Sequence, residues 1–429
     1  MVGADSPDSR PFPYDRVIGW VIFFVAIALF VAAIVIRPSS GEIPGVTAVD
    51  IGAPIGGEPA ASTDTTESDD ESQEAEAGGD DAEAADASDG AVAAESTEDT
   101  DSPITLAFVG DVLVHESVAG SAQTADGFDF GPQFAEVAPI LQGADLALCH
   151  LETPISSDNS SLSYFPAFLV PFQLADGLSG AGFDGCSVAS NHSLDAGEAG
   201  AESTFAELSR VGLGVAGIAG PGEQRARSTI YSVKGLTIGH LSYTYGLNGL
   251  EPTGRNAELT NIIDAGAIEA DAASLKSQGA DFVVVSTHWG VEYTTDLTDQ
   301  QAGLGPQLIG SDNIDFVVGH HAHVVQQVTE YSGEFVAYGL GNFLSNQSAE
   351  TCDPCPISTQ DGAILLIDVA ANDIGGFGVT ELRAVPTWVD RTNGHVIRVV
   401  SATDGADRAQ SLDRTSQALT STGTAITIE

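Results

Sequence analysis

Hydrophobic and polar positions divide the 429-residue chain into three stretches of different character. The first apolar block, residues 17–36, carries no charged side chain, and as a helix it would be about 30 Å long, enough to cross a hydrocarbon core. It is longer than the apolar region of a cleaved signal peptide and Arg37 follows it directly, which predicts an uncleaved single-pass anchor in the cell membrane. Arg10 and Arg16 precede the span, so residues 1–16 are expected in the cytoplasm and the bulk of the chain outside it. Residues 37–102 hold almost no aromatic or branched apolar side chain beyond Ile55. Too little surface is available there to offset ordering entropy, and a disordered acidic linker is predicted.

From Ile104 the pattern alternates. Apolar runs ending at Val109, Cys149, Ala189, Thr287 and Val318 predict buried strands, and amphipathic stretches near 133–142, 172–181, 198–210, 264–278 and 299–310 predict helices. Residues 229–233 and 236–243 read as a hairpin turned at Lys234-Gly235. Further strands are expected near 334–338, 363–369 and 396–401, with a last helix near 407–419. That order predicts an α/β domain with stacked sheets and helices outside. Residues 103–350 form its body, and 351–429 add C-terminal strands and a helix that complete it.

Charge narrows the partners. The net charge is -47, and no Lys or Arg occurs between Arg37 and Arg210, which excludes a reader of phosphate backbones; no nucleic-acid partner is expected. Even from Pro103 onward, 39 acids face 11 bases. A Gly-rich nucleotide loop of the P-loop kind is missing, so ATP-driven ligation is not expected either. Cys352 and Cys355, in Cys-Asp-Pro-Cys, fit a loop staple in an oxidising compartment, and the chain has no second such pair to make a zinc ribbon. Cys149 and Cys186 lie inside apolar runs and read as buried free thiols.

The polar clusters that end the apolar runs carry the chemistry. Seven of the nine histidines lie in five of them: Gly110 to His115, His150-Leu151-Glu152, Ser190 to Asp195, His288 to Tyr293, and Gly319 to His323. Asp111 follows a buried strand and a Gly turn, a natural position for a hard oxygen ligand. His150 and Glu152 share one strand face by period two, although a histidine on an apolar strand is more often a hydrogen-bonded core residue. Asn191 offers a neutral carbonyl oxygen and His192 can protonate a leaving group, with Asp195 placed to hold the other imidazole nitrogen. His288 ends the β-branched run, with Glu292 close behind. His321 and His323 share a face of an extended segment, whereas His320 points away. Two carboxylates, one Asn and three His from separate strands suit a pair of divalent ions of the Mn, Zn or Fe class. Metal candidates are therefore Asp111, Glu152, Asn191, His288, His321 and His323, with His115, His150 and Glu292 as possible additions, and the catalytic candidates are His192 and Asp195.

At these residues the chain resembles the CapA family of capsule and poly-γ-glutamate synthesis proteins, whose fold is similar to the calcineurin-like metallophosphoesterases. The resemblance runs from about Ile104 to Gln347 and rests on Gly-Asp, Leu-Glu-Thr-Pro, Asn-His-Ser-Leu-Asp, His-Trp-Gly-Val-Glu-Tyr, His-x-His-Val-Val-Gln and Tyr338 to Phe343, in that order. It implies a four-layer sandwich of two central sheets flanked by helices, the metal ligands just named, and His192 as acid. Two positions depart from the family pattern: His150 stands where Asn usually precedes Leu-Glu, and Ser190 where the first Asn of Asn-Asn-His is usual. The resemblance further implies a role in capsule or poly-γ-glutamate synthesis or export beside membrane-bound synthesis or export proteins. A metal-dependent, phosphoesterase-like hydrolase or transferase acting on a phosphoester would fit. So would a non-catalytic accessory subunit that grips an anionic polymer through its metal.

Overall fold

The structure is a computed structural model that describes residues 102–372 and 375–429. The anchor predicted at 17–36 and the linker up to residue 101 lie outside the described residues. Among the described residues no helix is long and apolar enough to cross a membrane.

In chain order the strands are β1 (Ile104–Val112), β2 (Gln123–Thr124), β3 (Gly127–Phe128), β4 (Leu146–Leu151), β5 (Gly185–Ser187), β6 (Gly214–Ala216), β7 (Thr229–Val233), β8 (Leu236–Thr244), β9 (Phe282–His288), β10 (Phe316–His320), β11 (Val328–Tyr331), β12 (Glu334–Ala337), β13 (Asn342–Leu344), β14 (Asp361–Ala371), β15 (Phe377–Asp390), β16 (Val396–Val399) and β17 (Thr427–Ile428). The helices are α1 (Glu116–Ala122), α2 (Gly131–Phe134), α3 (Ala138–Leu141), α4 (Gln173–Ala181), α5 (Gly197–Arg210), α6 (Arg255–Leu259), α7 (Ala265–Ser277), α8 (Asp299–Ile309) and α9 (Ala406–Thr420).

One sheet runs β16-β15-β14-β1-β4-β5-β6, with β13 beside the end of β1 and β17 beside β15; a second runs β11-β12-β10-β9-β8-β7. Period-two alternation decides how they stack. Along β1, Leu106 and Phe108 point into a core shared with Phe282, Val284, Phe316 and Val318 of the second sheet, and the Phe108 and Phe316 rings stack at 5.2 Å. Ala107 and Val109 point the other way, onto α4 and the segment that includes α2 and α3. The far face of the second sheet, with Val283, Val285 and Val317, is covered by Ile268, Ala272 and Leu275 of α7 and by Leu308 and Ile309 of α8. This is a mixed α/β fold with two sheets packed face to face.

Several expectations need correction. The helix expected at 133–142 is broken into α2 and α3, because Pro139 lies in the first turn of α3 and starts a new helix there. The 14-residue β15 was not expected; within it Pro386 sits opposite Ala363 in the antiparallel pairing to β14. Gly110 makes no turn but lies inside β1. There β14 gives way to β13, pairing Asp111 with Asn342, and the Asp111 N–H donates to the Gly341 carbonyl at 2.9 Å. A Cβ on Gly110 would lie 2.1 Å from that carbonyl oxygen, so only glycine lets the two backbones approach. Gly110→Ala is expected to lower stability by about 2–3 kcal/mol through this overpacking, read as a drop in the urea midpoint.

Cys149 and Cys186 are not free thiols. They face each other in the parallel pair β4–β5 and form a disulfide, with Cα atoms 4.4 Å apart. Burial in apolar runs was legible; the lateral neighbour that makes a bond partner was not. Cys352 and Cys355 form the expected staple.

Candidate metal centre

Strands β1, β4, β5 and β6 run parallel in one sheet, and β8, β9, β10 and β12 in the other, so their C-terminal ends gather loops from both sheets into one crevice. Asp111 enters from β1, His150 and Glu152 from the end of β4, Asn191 and His192 from the loop after β5, His288 from β9, and His320, His321 and His323 from the end of β10. Apart from the exposed Glu292 and the half-buried His115, every metal candidate is buried.

The contacts show what these groups can hold. Asp111 Oδ2 lies 3.0 Å from His323 Nδ1 and accepts from the His321 backbone N–H at 3.2 Å, while Oδ1 lies 3.2 Å from His320 Nδ1. Glu152 Oε1 lies 3.7 Å from His323 Nε2 and 4.0 Å from His192 Nε2. His288 reaches Asn191 Oδ1 through Nε2 at 2.8 Å and His150 Nε2 through Nδ1 at 2.9 Å. Ligand atoms within 4.8 Å of one another form four overlapping groups: Asp111 with His150 and His288, Asp111 with Glu152 and His323, Glu152 with His288 and His321, and Glu292 with His321 and His323. Glu152 recurs in two groups, one with His323 and one with His321, placing its carboxylate between them.

A divalent cation fits this donor set on one observation above all. Among the described residues, both oxygens of the buried Glu152 carboxylate and Nδ1 of the buried His321 have no hydrogen-bond partner. A buried carboxylate without donors is costly to fold unless a cation meets it. Asp111, Glu152, Asn191, His288, His321 and His323 would hold such ions, as oxygen and nitrogen donors suited to transition-metal or zinc-class cations.

Electrostatics follow from the same crowding. Burial pushes the Glu152 carboxyl up to about 7. Burial also works against charge on His323, but the Glu152 and Asp111 carboxylates outweigh it and raise the imidazole to about 9. Burial would raise Asp111 too, yet the His320 and His323 rings beside it hold it well below the usual carboxylate range. Burial, with His323 next to it, pushes His321 down to about 3, and burial keeps His150 and His288 neutral.

His192 stands at the rim. Its Nδ1 and Asp195 Oδ2 lie 2.6 Å apart, the arrangement expected from their spacing, and Asp195 Oδ2 also accepts from the Phe168 N–H at 2.8 Å. The edge-on Phe168 ring, 4.8 Å away, fixes the plane of the imidazole.

Not every candidate joins the centre. His115 lies outside all four groups; its Nδ1 accepts from the Asn346 N–H at 3.3 Å, and burial lowers it to about 4. His320 does not point away. His320 ends β10 on the face that Phe316 and Val318 turn toward the first sheet, so its ring meets Asp111, while the segment after it is not extended, since His321 (φ 90) and His323 (φ 55) adopt left-handed backbone that breaks the alternation. Sequence reasoning missed Asn342, whose Oδ1 lies 3.1 Å from His323 Nδ1, and Asn248, whose Oδ1 accepts from Asn191 Nδ2 at 3.1 Å. The Tyr338 to Phe343 motif was the available signal for Asn342; Asn248, in an irregular loop, offered none. His240 and His395 are core residues, bonded to Ser286 and to Ser121 and Asn346.

The model of the bacterial capsule synthesis protein family PGA_cap matches residues 105–347, more than half of the chain and the stretch that contains every residue of this centre. The chain belongs to the PGA_cap family. Among its relatives, the poly-γ-glutamate biosynthesis protein CapA of Bacillus subtilis is 28% identical over 66% of this chain and 72% of its own length. The capsule biosynthesis protein CapA of Bacillus anthracis is 25% identical over 63% of this chain and 67% of its own. Among solved structures, a calcineurin-like phosphoesterase from Bacillus subtilis aligns with a TM-score of 0.38 at 11% identity, over 74% of this chain and 97% of that one. A putative 5'-nucleotidase from Staphylococcus aureus aligns with a TM-score of 0.42 at 16% identity, over 72% and 58%. In this PGA_cap protein the family match ends at Gln347, while β14, β15 and β16 extend the first sheet beyond it and α9 follows them in the chain.

Proposed function

We propose that this PGA_cap protein is a membrane-anchored, metal-dependent hydrolase or transferase that acts on a phosphoester during the assembly or export of an envelope polymer. The observation that carries the reading is the partnerless Glu152 carboxylate between the histidines of β9 and β10, next to a histidine oriented by an aspartate. When bound, two divalent ions supply an activated water and neutralise charge on a phosphoryl group. The chain's own residues do the rest. Asp111, Glu152 and Asn191 position the oxygen donors, the neutral His288 and His321 supply nitrogen, and Asp195 holds His192 so that Nε2 faces the site and can deliver a proton to the leaving oxygen.

A second reading, a non-catalytic subunit that grips an anionic polymer, has its own support. Every Lys and Arg among the described residues already has a carboxylate partner, so a polyanion would find only the metal centre to hold it. The His192–Asp195 pair favours catalysis, because gripping needs no oriented proton donor. His192→Ala is expected to lower turnover of the metal-loaded protein about 100-fold or more on a phosphodiester panel while metal content stays unchanged. Equal turnover, or none in the wild type beside intact polymer binding, would favour the accessory reading.

The two disulfides support a globular domain outside the cytoplasm, held by the predicted anchor at residues 17–36. Membrane-bound synthesis or export proteins are the partners this placement offers.

A further inference from the structure

We propose that His150 is a positioning residue that sets which nitrogen of His288 carries its proton, as the middle member of a reversible hydrogen-bonded chain from Ser187 to the metal centre. The inference rests on the metal reading above. Its geometry is buried throughout: His150 and His288 are 0% exposed and Ser187 is 1%. Ser187 Oγ lies 2.8 Å from His150 Nδ1, His150 Nε2 lies 2.9 Å from His288 Nδ1, and His288 Nε2 lies 2.8 Å from Asn191 Oδ1. Stacking on His320, with centroids 3.9 Å apart and planes at 11°, fixes the His150 ring.

The chain of bonds can be drawn in two directions. In the first, Ser187 donates its hydroxyl proton to His150 Nδ1, His150 donates from Nε2 to His288 Nδ1, and His288 donates from Nε2 to Asn191 Oδ1. Every contact then has one donor and one acceptor, which suits a protein without a cation. A metal ligand must offer a lone pair, so Nε2 of His288 has to give up its proton. In the second direction His288 donates from Nδ1 to His150 Nε2, His150 donates from Nδ1 to Ser187 Oγ, and Ser187 donates to the Cys149 carbonyl, 3.3 Å away. Serine and both imidazoles carry the same number of protons in either direction, so the exchange with solvent leaves each of them neutral. Nε2 of His288 and Oδ1 of Asn191 then present two lone pairs toward the same space. Burial keeps both rings neutral, as either direction requires. An apolar side chain at 150 would leave His288 Nδ1 without a partner and its tautomer unset.

The test uses the full chain in detergent and Zn2+ as the probe. Imidazole nitrogen NMR is expected to show His288 protonated at Nε2 without metal, and His288 and His150 both protonated at Nδ1 once Zn2+ is bound. Chelator competition is expected to show about 10–100-fold weaker Zn2+ binding in His150→Leu, the usual range for losing a ligand's supporting bond, and near-wild-type binding in His150→Gln, whose amide oxygen can accept from His288 Nδ1. His150 remaining protonated at Nε2 in the Zn2+-bound wild type would overturn the proposal without any variant. So would a folded His150→Leu that binds Zn2+ as tightly as the wild type. A wild type that binds no Zn2+ would instead overturn the metal reading beneath it.

Discussion

Glu152→Leu is expected to stabilise the metal-free protein and to abolish its metal binding. The Glu152 carboxylate is buried with neither oxygen hydrogen-bonded, and burial pushes it up to about 7, so near neutral pH the fold carries part of the cost of a desolvated charge. A leucine of similar volume removes that cost. The metal-free domain should gain about 1–3 kcal/mol, the range for a group left unsatisfied, seen as a higher midpoint of thermal unfolding in chelator. In the same variant both groups that contain Glu152 lose their shared oxygen ligand, and metal affinity should fall on the order of a thousandfold. The two changes run in opposite directions, which separates a ligand kept for binding from a residue kept for packing. A destabilised variant that still binds metal would contradict the assignment.

Metal affinity is expected to rise steeply with pH. In the metal-free protein Glu152 titrates near 7 and His323 near 9, and both must be unprotonated to bind a cation. Below pH 7 both protons are displaced on binding, so apparent affinity should change by roughly a hundredfold per pH unit; between 7 and 9 only the His323 proton remains, and about tenfold per unit is expected. The same shifts fix the sign for stability. His323 lies above its ordinary value of 6.5, so its contribution is fully present below 6.5 and is lost as pH rises through about 9. Glu152 lies above its ordinary 4.5, so the fold likewise loses stability as pH rises from about 4.5 through 7. Saturating metal should remove both losses. Chelator competition and thermal unfolding at pH 6, 7, 8 and 9 check the pair of trends.

How much of this was legible in the sequence depends on what period and spacing encode. Strands β1, β4, β9 and β10 and helices α4, α5, α7 and α8 follow from buried runs and amphipathic spacing, and so does the gathering of Asp111, Glu152, Asn191, His288, His321 and His323 at strand ends. The His192–Asp195 contact follows from a three-residue spacing across a tight turn. What escaped depends on lateral neighbours or local backbone. The Cys149–Cys186 bond needs the order of β4 and β5, and the convergence of His320, His321 and His323 on one site needs the positive φ that breaks strand alternation after His320. Gly110 was read as a turn because its true constraint, the Gly341 carbonyl on a neighbouring strand, lies over 200 residues away in the chain.

His150 shows the same limit in the other direction. On an apolar strand it read more readily as a core residue than as a ligand, and the structure gives it features of both: full burial, and a bond to the far nitrogen of His288. Sequence period could place it on the site's face but could not show that His288 stands between it and Asn191.

The central claim is that the strand-end crevice is a two-ion centre, and metal content by mass spectrometry tests it most directly. The purified chain, reconstituted with Mn2+ or Zn2+ and desalted, should carry about two equivalents. Folded His288→Ala and His323→Ala variants should lose at least one each. A wild type that retains no metal at pH 8, where Glu152 is ionised and affinity should be high, would contradict the account.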